Sequence, residues 1–266
     1  MGDLKVAVQE FWDARPCGTA DIVQARAGTT DGFRALDHRR YTLEPCIDAF
    51  AAFGRQAGRR VLEIGCGAGA DLMRFAQAGA RATGVDLSPA SVDLTRRRLE
   101  AFGLSADVRV ADAEGLPFAD ASFDLVYSWG VLHHTPETAR AVAEVFRVLV
   151  EGGSARIMLY HRRSIFALQA WIYFALLRGR PWRSVSAVLA AHLESPGTHA
   201  YTVTEARNLF SSSGFARVEV RPVLTVWDAR VGRRRFLPAW CRAPLPERWG
   251  WFLLISGERP GRDGTS

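Results

Sequence analysis

The feature that most constrains this chain's fold is an alternation of apolar strand patterns with amphipathic helix patterns over residues 58–160. In order, the segments are strand, helix, strand, helix, strand, strand, helix and strand. Ser88 and Pro89 give the second helix an N-cap and a proline at its first position, and Gly103 ends it. Strands joined by helical crossovers predict an α/β fold with a parallel sheet covered by helices.

A glycine-rich turn interrupts this alternation after the first strand. Residues 61–64 form an apolar strand pattern that runs into Gly65, Gly67 and Gly69, and a helix pattern begins at Asp71. Glycine allows the backbone to approach a ligand closely. The unpaired N–H groups at the start of the following helix favour a carboxylate or a phosphate. The turn therefore predicts a site for an anionic, nucleoside-like ligand.

Two acidic residues end the next strand patterns. Asp86 lies 21 residues after Gly65, where a carboxylate can accept hydrogen bonds from both hydroxyls of a ribose. Asp112 follows the strand pattern 107–111 and can accept a hydrogen bond from an exocyclic amine such as that of adenine. Because the carboxyl ends of parallel strands meet at one edge of a sheet, these acids predict a nucleoside-binding edge.

With a fourth motif at residues 128–134 (SWGVLHH), these features resemble the class I S-adenosylmethionine (SAM)-dependent methyltransferases. The similarity is strongest to the small-molecule group that includes the quinone C-methyltransferases (methyltransferase type 11), and it covers residues 58–160. It implies a Rossmann-like, doubly wound seven-stranded sheet with an antiparallel last strand, SAM as methyl donor and S-adenosylhomocysteine as product. The residues that it assigns to cofactor binding are Glu63, Gly65, Gly67, Asp86, Leu87, Asp112, Ala113, Ser128 and Trp129.

The resemblance and the patterns divide the chain into four parts. Residues 1–57 form a helical N-terminal cap, 58–160 the SAM-binding core, 161–200 a helical insertion after the fifth strand, and 201–266 the C-terminal completion of the sheet. We interpret the insertion as a lid over the methyl acceptor. Its aromatic residues suit a bulky apolar or aromatic acceptor, and they equally suit the packing of a helical subdomain. They are Phe166, Trp171, Tyr173, Phe174 and Trp182.

The candidate catalytic residues are His133 and His134. Methyl transfer from a sulfonium is a displacement in which positioning supplies much of the catalysis, and the step can further use a base for the acceptor's proton. Both histidines follow a strand pattern at the carboxyl edge, and imidazole has a suitable pKa range. The alternative is that they only shape the turn before Thr135 and Pro136.

Aromatic residues near the predicted edge allow two roles. Trp129 can form a wall beside the cofactor or acceptor, or it can pack in the core. Phe11, Trp12 and Tyr41 can close over the cofactor, or they can belong to the core of the N-terminal helices.

The charge favours no single partner. The formal net charge is +6, and Lys5 is the only lysine. Arginines gather at 178–183 and again at 230–235, and each group is either a solvated basic face or a patch that contacts anions or a membrane surface. We expect a small-molecule acceptor and leave membrane-surface contact open. The identity of the acceptor, the methylated element and the oligomeric state are not readable from these patterns.

Cysteine usage and hydropathy indicate a cytoplasmic protein without a metal. The four cysteines form no CxxC pair and no metal-ligand spacing, and no paired carboxylates accompany the acceptor edge. The first residues lack the apolar core of a signal peptide. The longest apolar stretch, 165–177, has 13 residues and is too short to cross a bilayer.

Three other functions fit parts of the pattern. Residues 65–70 also match a GxGxxA dinucleotide turn, but Lys5 alone cannot supply the Tyr-x-x-x-Lys pair of a nicotinamide oxidoreductase in the body of the chain. RNA methylation fits the basic charge, yet residues 128–131 lack the Asp/Asn-Pro-Pro-Tyr type sequence of amino-methylating enzymes, which argues against nucleic acid. A non-catalytic SAM-binding protein is the third alternative, because fold does not imply function.

Overall fold

The structure is a computed structural model that describes residues 2–14, 29–231, 234–235 and 245–261. The cysteines at 17 and 241 and the arginine side chains at 230–235 lie outside this description. Among the described residues, no helix is both long enough and apolar enough to span a bilayer.

The described strands build a seven-stranded sheet in the order β3-β2-β1-β4-β5-β9-β6, and β7 and β8 pair separately. Neighbours from β3 to β5 run parallel, whereas β9 is antiparallel to both β5 and β6. This confirms the predicted Rossmann-like sheet and its antiparallel last strand. The strands are β1 (Arg60–Ile64), β2 (Arg81–Asp86), β3 (Asp107–Val110), β4 (Phe123–Trp129), β5 (Leu149–Tyr160), β6 (Ala216–Val223), β7 (Arg230–Val231), β8 (Arg234–Arg235) and β9 (Phe252–Glu258).

The helices lie on both faces of this sheet, and their first residues follow the local capping signals. The Ser88 hydroxyl accepts a hydrogen bond from Ser91 N–H at the start of α5, and Thr202 with Glu205 forms a capping box at the start of α9. The helices are α1 (Asp3–Ala14), α2 (Thr30–Leu43), α3 (Cys46–Ala51), α4 (Ala70–Gln77), α5 (Pro89–Ala101), α6 (Thr138–Val148), α7 (Ile165–Phe174), α8 (Val185–His192) and α9 (Val203–Ser212).

The core consists of two apolar layers, one on each face of the sheet. Val61 and Leu125 face the layer that contains residues of α4, α5, α7 and α8, whereas Leu62 and Val126 face the layer under α6 and α9. All four side chains are fully buried. Burial on both faces is expected for parallel strands, because helical crossovers cover both sides. The strand order reverses between β1 and β4, which opens a crevice at their carboxyl ends.

Candidate active site

A cavity of about 470 Å³ lies at the carboxyl ends of β1, β2 and β4, and residues of α1 and α2 also line it. This volume is within the usual range for small-molecule sites. Eight of the residues proposed from the sequence line the cavity: Glu63, Gly65, Gly67, Asp86, Leu87, Ala113, Trp129 and His134.

The glycine turn after β1 is held in shape by a carboxylate at the end of β2. Gly65 and Gly67 have φ values of +80° and +53°, which favour glycine. A Cβ on Gly65 would lie 2.1 Å from Val131 Cγ2. Gly67 N–H donates to Asp86 Oδ2 at 2.8 Å, and Ser88 N–H donates to Oδ1 at 2.9 Å. Burial raises the pKa of Asp86. Each oxygen keeps further acceptor capacity toward the cavity.

An acidic and a basic side chain on the cavity wall have polar atoms without hydrogen-bond partners among the described residues. Glu63 is 3% exposed, and its Oε2 accepts no hydrogen bond from the described residues. Burial, followed by the charge of Asp71, raises the pKa of Glu63 well above its usual range. The fully buried Arg98 likewise leaves Nε and Nη2 unpartnered among those residues. Since buried polar groups are normally paired, the wall fits a ligand with an amine and a carboxylate, as in the amino-acid part of SAM.

A buried cluster around Asp71 supports this wall. Arg40 Nη2 donates to Asp71 Oδ2 at 2.6 Å, and the hydroxyls of Tyr41 and Tyr127 donate at 2.8 and 2.9 Å. Although burial by itself raises the pKa of Asp71, the charge of Arg40 and these hydrogen bonds lower it below its usual value. Tyr41 therefore orients Asp71 and does not line the cavity.

Three of the residues proposed for cofactor binding or catalysis do not line the cavity. The Asp112 carboxylate accepts a hydrogen bond from Lys5 Nζ at 2.7 Å and is held by that ion pair. The fully buried Ser128 hydroxyl donates to the carbonyl of Ile64 at 2.9 Å, so it joins β4 to β1. His133 is also fully buried. The sequence placed these residues at the correct strand ends, but the direction of each side chain depends on partners distant in the chain.

His133 is unsuited to the predicted role of base. Its ring packs against Tyr160 with centroids 3.9 Å apart and the planes tilted by 38°. Neither ring nitrogen has a hydrogen-bond partner among the described residues. Burial, and then the charges of His134 and His199, lower the pKa of His133 well below its usual value. A neutral, enclosed imidazole cannot exchange a proton with a ligand in the cavity, which favours the alternative that this residue shapes the turn.

His134 does line the cavity, and oxygen atoms face both of its ring nitrogens. Nδ1 lies 2.8 Å from Ser195 Oγ and 2.9 Å from Thr198 Oγ1. Nε2 lies 3.2 Å from Glu194 Oε2. The segment after α8 therefore holds Nδ1 between two hydroxyls, whereas Nε2 faces Glu194 Oε2 without a hydrogen bond among the described residues.

Glu194 is the residue of this end that the sequence analysis missed. It lines the cavity, and Tyr160 donates a hydrogen bond to its Oε2 at 3.0 Å. The Glu194 side chain is 46% exposed. Partial enclosure of the carboxylate raises its pKa, but the hydrogen bond and charge of His134, together with Tyr160, lower it below the ordinary value. Glu194 has a φ of +23°, which is unusual for a residue with a side chain. The sequence contains one signal that sets Glu194 apart. Residues 161–193 contain no acidic residue, so Glu194 is the first acid of the insertion.

Helix α1 covers part of the cavity with Lys5, Val8 and Trp12. Lys5 Nζ forms ion pairs with Asp112 and Glu114 after β3. At the other end, the Ser88 hydroxyl after β2 donates to Asp13 at 2.5 Å. The helix therefore bridges the ends of two strands. Of the aromatic residues proposed to close over the cofactor, Trp12 lines the cavity, whereas Phe11 packs edge-on against Trp12 and does not.

The aromatic residues of the insertion do not line the cavity. Phe166 packs on Trp251 with centroids 4.4 Å apart, and the Trp171 indole donates to the carbonyl of Arg183 at 2.7 Å. These contacts favour the packing of a helical subdomain. Trp129 combines both of its proposed roles, because it lines the cavity at 7% exposure and its indole donates to Glu44 at 2.9 Å.

Comparisons of the sequence relate this chain to known methyltransferases. Residues 61–153 match the family model described as a methyltransferase domain. The chain is 31% identical to a probable S-adenosylmethionine-dependent methyltransferase of Mycolicibacterium smegmatis over 67% of this chain and 66% of that protein. It is also 31% identical to a ubiquinone biosynthesis O-methyltransferase of Thiobacillus denitrificans over 54% of this chain and 57% of that protein.

Among solved structures, the fold is similar to that of magnesium protoporphyrin IX methyltransferase from Synechocystis with bound S-adenosylhomocysteine. The TM-score is 0.60 at 17% identity, and the match covers 96% of this chain and 99% of that one. At this identity the likeness concerns the fold alone. The chain spans about a third to two thirds of the length of the curated relatives that it matches.

Proposed function

Because this chain belongs to the class I SAM-dependent methyltransferases, we propose that it transfers a methyl group from SAM to a hydroxyl of a small apolar or aromatic molecule. The observation that carries the proposal is a single cavity with two chemically different ends. One group of lining residues contains Gly65, Gly67 and Asp86, and another contains His134 and Glu194. We call the first group the cofactor end and the second the acceptor end.

The residues at the first end suit the cofactor's polar groups. When bound, SAM supplies an electrophilic methyl group on a sulfonium sulfur. Asp86 has acceptor capacity for the ribose hydroxyls, and Glu63 has a buried oxygen for the amine. The unpartnered nitrogens of Arg98 suit the carboxylate. These contacts hold the donor in one orientation, and orientation supplies much of the acceleration of a displacement.

At the second end, we assign proton acceptance to Glu194 and positioning to His134. Both ring nitrogens of His134 face protein oxygens, whereas the contacts of Glu194 involve Oε2. These contacts use Oε2 alone, and we assign Oε1 to the acceptor hydroxyl. The ionised carboxylate takes the proton as the oxygen attacks. The O-methyltransferase name of the Thiobacillus denitrificans relative supports a hydroxyl acceptor.

Calorimetric titration tests the cofactor end. We expect SAM and S-adenosylhomocysteine to bind the purified protein, and Asp86→Ala to weaken both at least tenfold, because it removes the carboxylate and frees the glycine turn. Asp93→Ala is the matched control, since that carboxylate is exposed on α5. Binding of NADH or NADPH without binding of SAM would refute the proposal and support a nicotinamide enzyme.

A transfer assay tests the acceptor end. The protein is incubated with SAM labelled in the methyl group and with catechol, hydroquinone or transfer RNA. Label on the hydroxyl of a small aromatic compound supports the proposal. Label on RNA would support nucleic-acid methylation, and SAM binding without transfer to any acceptor would support a non-catalytic SAM-binding protein.

A further inference from the structure

We propose that the tip of the helical insertion, residues 168–183, docks onto an anionic lipid surface. The docking is independent of the proposed methyl transfer. It rests on the exposed apolar side chains of this tip, on its charge, and on its place in the chain.

The exposed large apolar side chains of the described residues concentrate at the tip. Five of these eight side chains lie there, whereas the other three are Leu4, Val110 and Trp249. Single exposed apolar residues are ordinary on a protein surface, but a cluster marks an interaction site. The five are Leu168 at 54% exposure, Tyr173 at 41%, Leu176 at 45%, Leu177 at 69% and Trp182 at 77%.

The same tip is strongly basic. Residues 168–183 contain three arginines, Arg178, Arg180 and Arg183, and no acidic residue. Arg178 and Arg180 are exposed beside the apolar side chains, and the Arg178 guanidinium lies 5.1 Å from the Phe174 ring centroid. Interleaved arginine, leucine and tryptophan side chains are typical of segments that lie in the interface plane of a bilayer. The positive charge is complementary to anionic headgroups.

This charge also distinguishes a lipid surface from a second copy of the chain. In a symmetric dimer through the tip, the same patch would face itself, so arginine would face arginine. The tip has no acidic residue to compensate that repulsion. An anionic bilayer offers both the apolar phase for Leu177 and Trp182 and the negative charge for Arg178 and Arg180.

The tip is close in sequence to the acceptor end of the cavity. Only Ser184, α8 and Leu193 separate it from Glu194. Helix α8 has eight residues, which corresponds to about 12 Å. If the proposed function holds, docking therefore brings an apolar acceptor dissolved in the bilayer near the proton-accepting carboxylate.

Vesicle flotation with the full chain tests the docking. We expect the protein to float with vesicles of phosphatidylcholine and phosphatidylglycerol (3:1), and not with phosphatidylcholine alone. The double variant Leu177→Ser/Trp182→Ser should lose at least tenfold in affinity. Arg178→Gln/Arg180→Gln should lose roughly fivefold for each arginine removed. The matched control is Val110→Ser/Trp249→Ser, which replaces exposed apolar residues elsewhere and should leave binding unchanged.

Three results would overturn the inference: no flotation with either vesicle, an equal loss in the control variant, or flotation that the tip variants do not weaken. Light scattering without lipid tests whether a second copy of the chain covers the tip instead. A dimer that the Leu177→Ser/Trp182→Ser variant dissociates would assign the tip to a second copy. Because both side chains are exposed, we expect that variant to keep the melting temperature of the parent chain. Titration with SAM measures the cofactor site separately, so a failure of docking and a failure of the proposed function can be told apart.

Discussion

At the scale of single residues, the proposed proton acceptor is Glu194. It comes from the helical insertion, and its carboxylate reaches His134 and Tyr160 on the sheet edge. The insertion thus contributes a charged group to the cavity, where the sequence suggested an aromatic cover. A pattern of apolar residues predicts which helix faces are buried, but it does not predict which polar side chain reaches a distant cavity.

We expect Glu194→Gln to lower kcat for methyl transfer roughly 100-fold, because the amide cannot accept the acceptor's proton. The Kd for SAM should stay within twofold. The wild-type rate should fall only as the pH drops through the lowered pKa of Glu194, so it should persist well into the acidic range. An unchanged kcat in Glu194→Gln would exclude this residue as the base.

The role of His134 is tested by the pH at which the rate of methyl transfer falls on acidification. His134→Ala removes the hydrogen bond and charge that lower the pKa of Glu194. The pKa should then rise, and the loss of activity should begin at a higher pH than in the wild type. If the maximal rate falls but activity is lost at the same pH as in the wild type, His134 has a different role.

His133 makes the free energy of unfolding depend on pH. Its pKa is lowered in the folded state, so below about pH 6.5 the unfolded chain binds a proton that the folded chain does not. Stability is therefore lost as the pH falls, by up to about 1.4 kcal/mol per pH unit, until the lowered pKa is reached. Urea unfolding of His133→Leu at pH 7 and pH 5 should show a smaller loss than the wild type. An equal loss would mean that this histidine does not contribute.

At the scale of elements, α1 covers part of the cavity with Lys5, Val8 and Trp12. Ionic and polar contacts attach it at both ends, to residues after β3 and after β2. We therefore expect these contacts to open when a nucleoside ligand enters or leaves past α1. Loops and helices that cover a site often set the rate of product release.

Lys5→Ala should accelerate dissociation of S-adenosylhomocysteine roughly three- to tenfold, because it removes both ion pairs of the first turn of α1. Lys5→Arg is the matched control that preserves the charge and should change the rate little. Stopped-flow fluorescence measures the dissociation. Equal rates in the alanine variant and the wild type would show that α1 opens without breaking these pairs.

The strands and helices of the core could be predicted because their signals are local. The glycine turn after β1 and the cap of α5 each depend on residues within a few positions. The site was less predictable where it depends on distant partners. Lys5 lies 107 residues from Asp112 in sequence and forms an ion pair with its carboxylate. No periodicity reports such a pairing, and the same holds for Glu194 and His134.

At the scale of the whole molecule, the order of the strands makes the fold depend on β9. This strand lies between β5 and β6, so within the described sheet β6 pairs with β9 alone. Four of its large side chains, Phe252, Leu253, Leu254 and Ile255, are at most 3% exposed. Their burial is worth roughly 2 kcal/mol each, which together is comparable with the stability of a typical domain.

A chain ended after Gly250 should therefore lose its cooperative thermal transition, because β6 and the outer edge of β5 would have no partner in the sheet. A chain ended after Gly261 retains β9 and is the matched control. Circular dichroism during heating measures both. A cooperative transition in the shorter chain, at the temperature of the control, would show that β9 is dispensable for folding.

The contact between Gly65 and Val131 has a consequence for ligand binding. The turn after β1 and the turn after β4 touch so closely that a Cβ on Gly65 would overlap the valine side chain. The first turn belongs to the cofactor end, and the second leads to His134 at the acceptor end. A ligand that orders one turn therefore orders the other, so we expect donor and acceptor to bind with positive cooperativity. By thermodynamic reciprocity, each would raise the affinity of the other by the same factor.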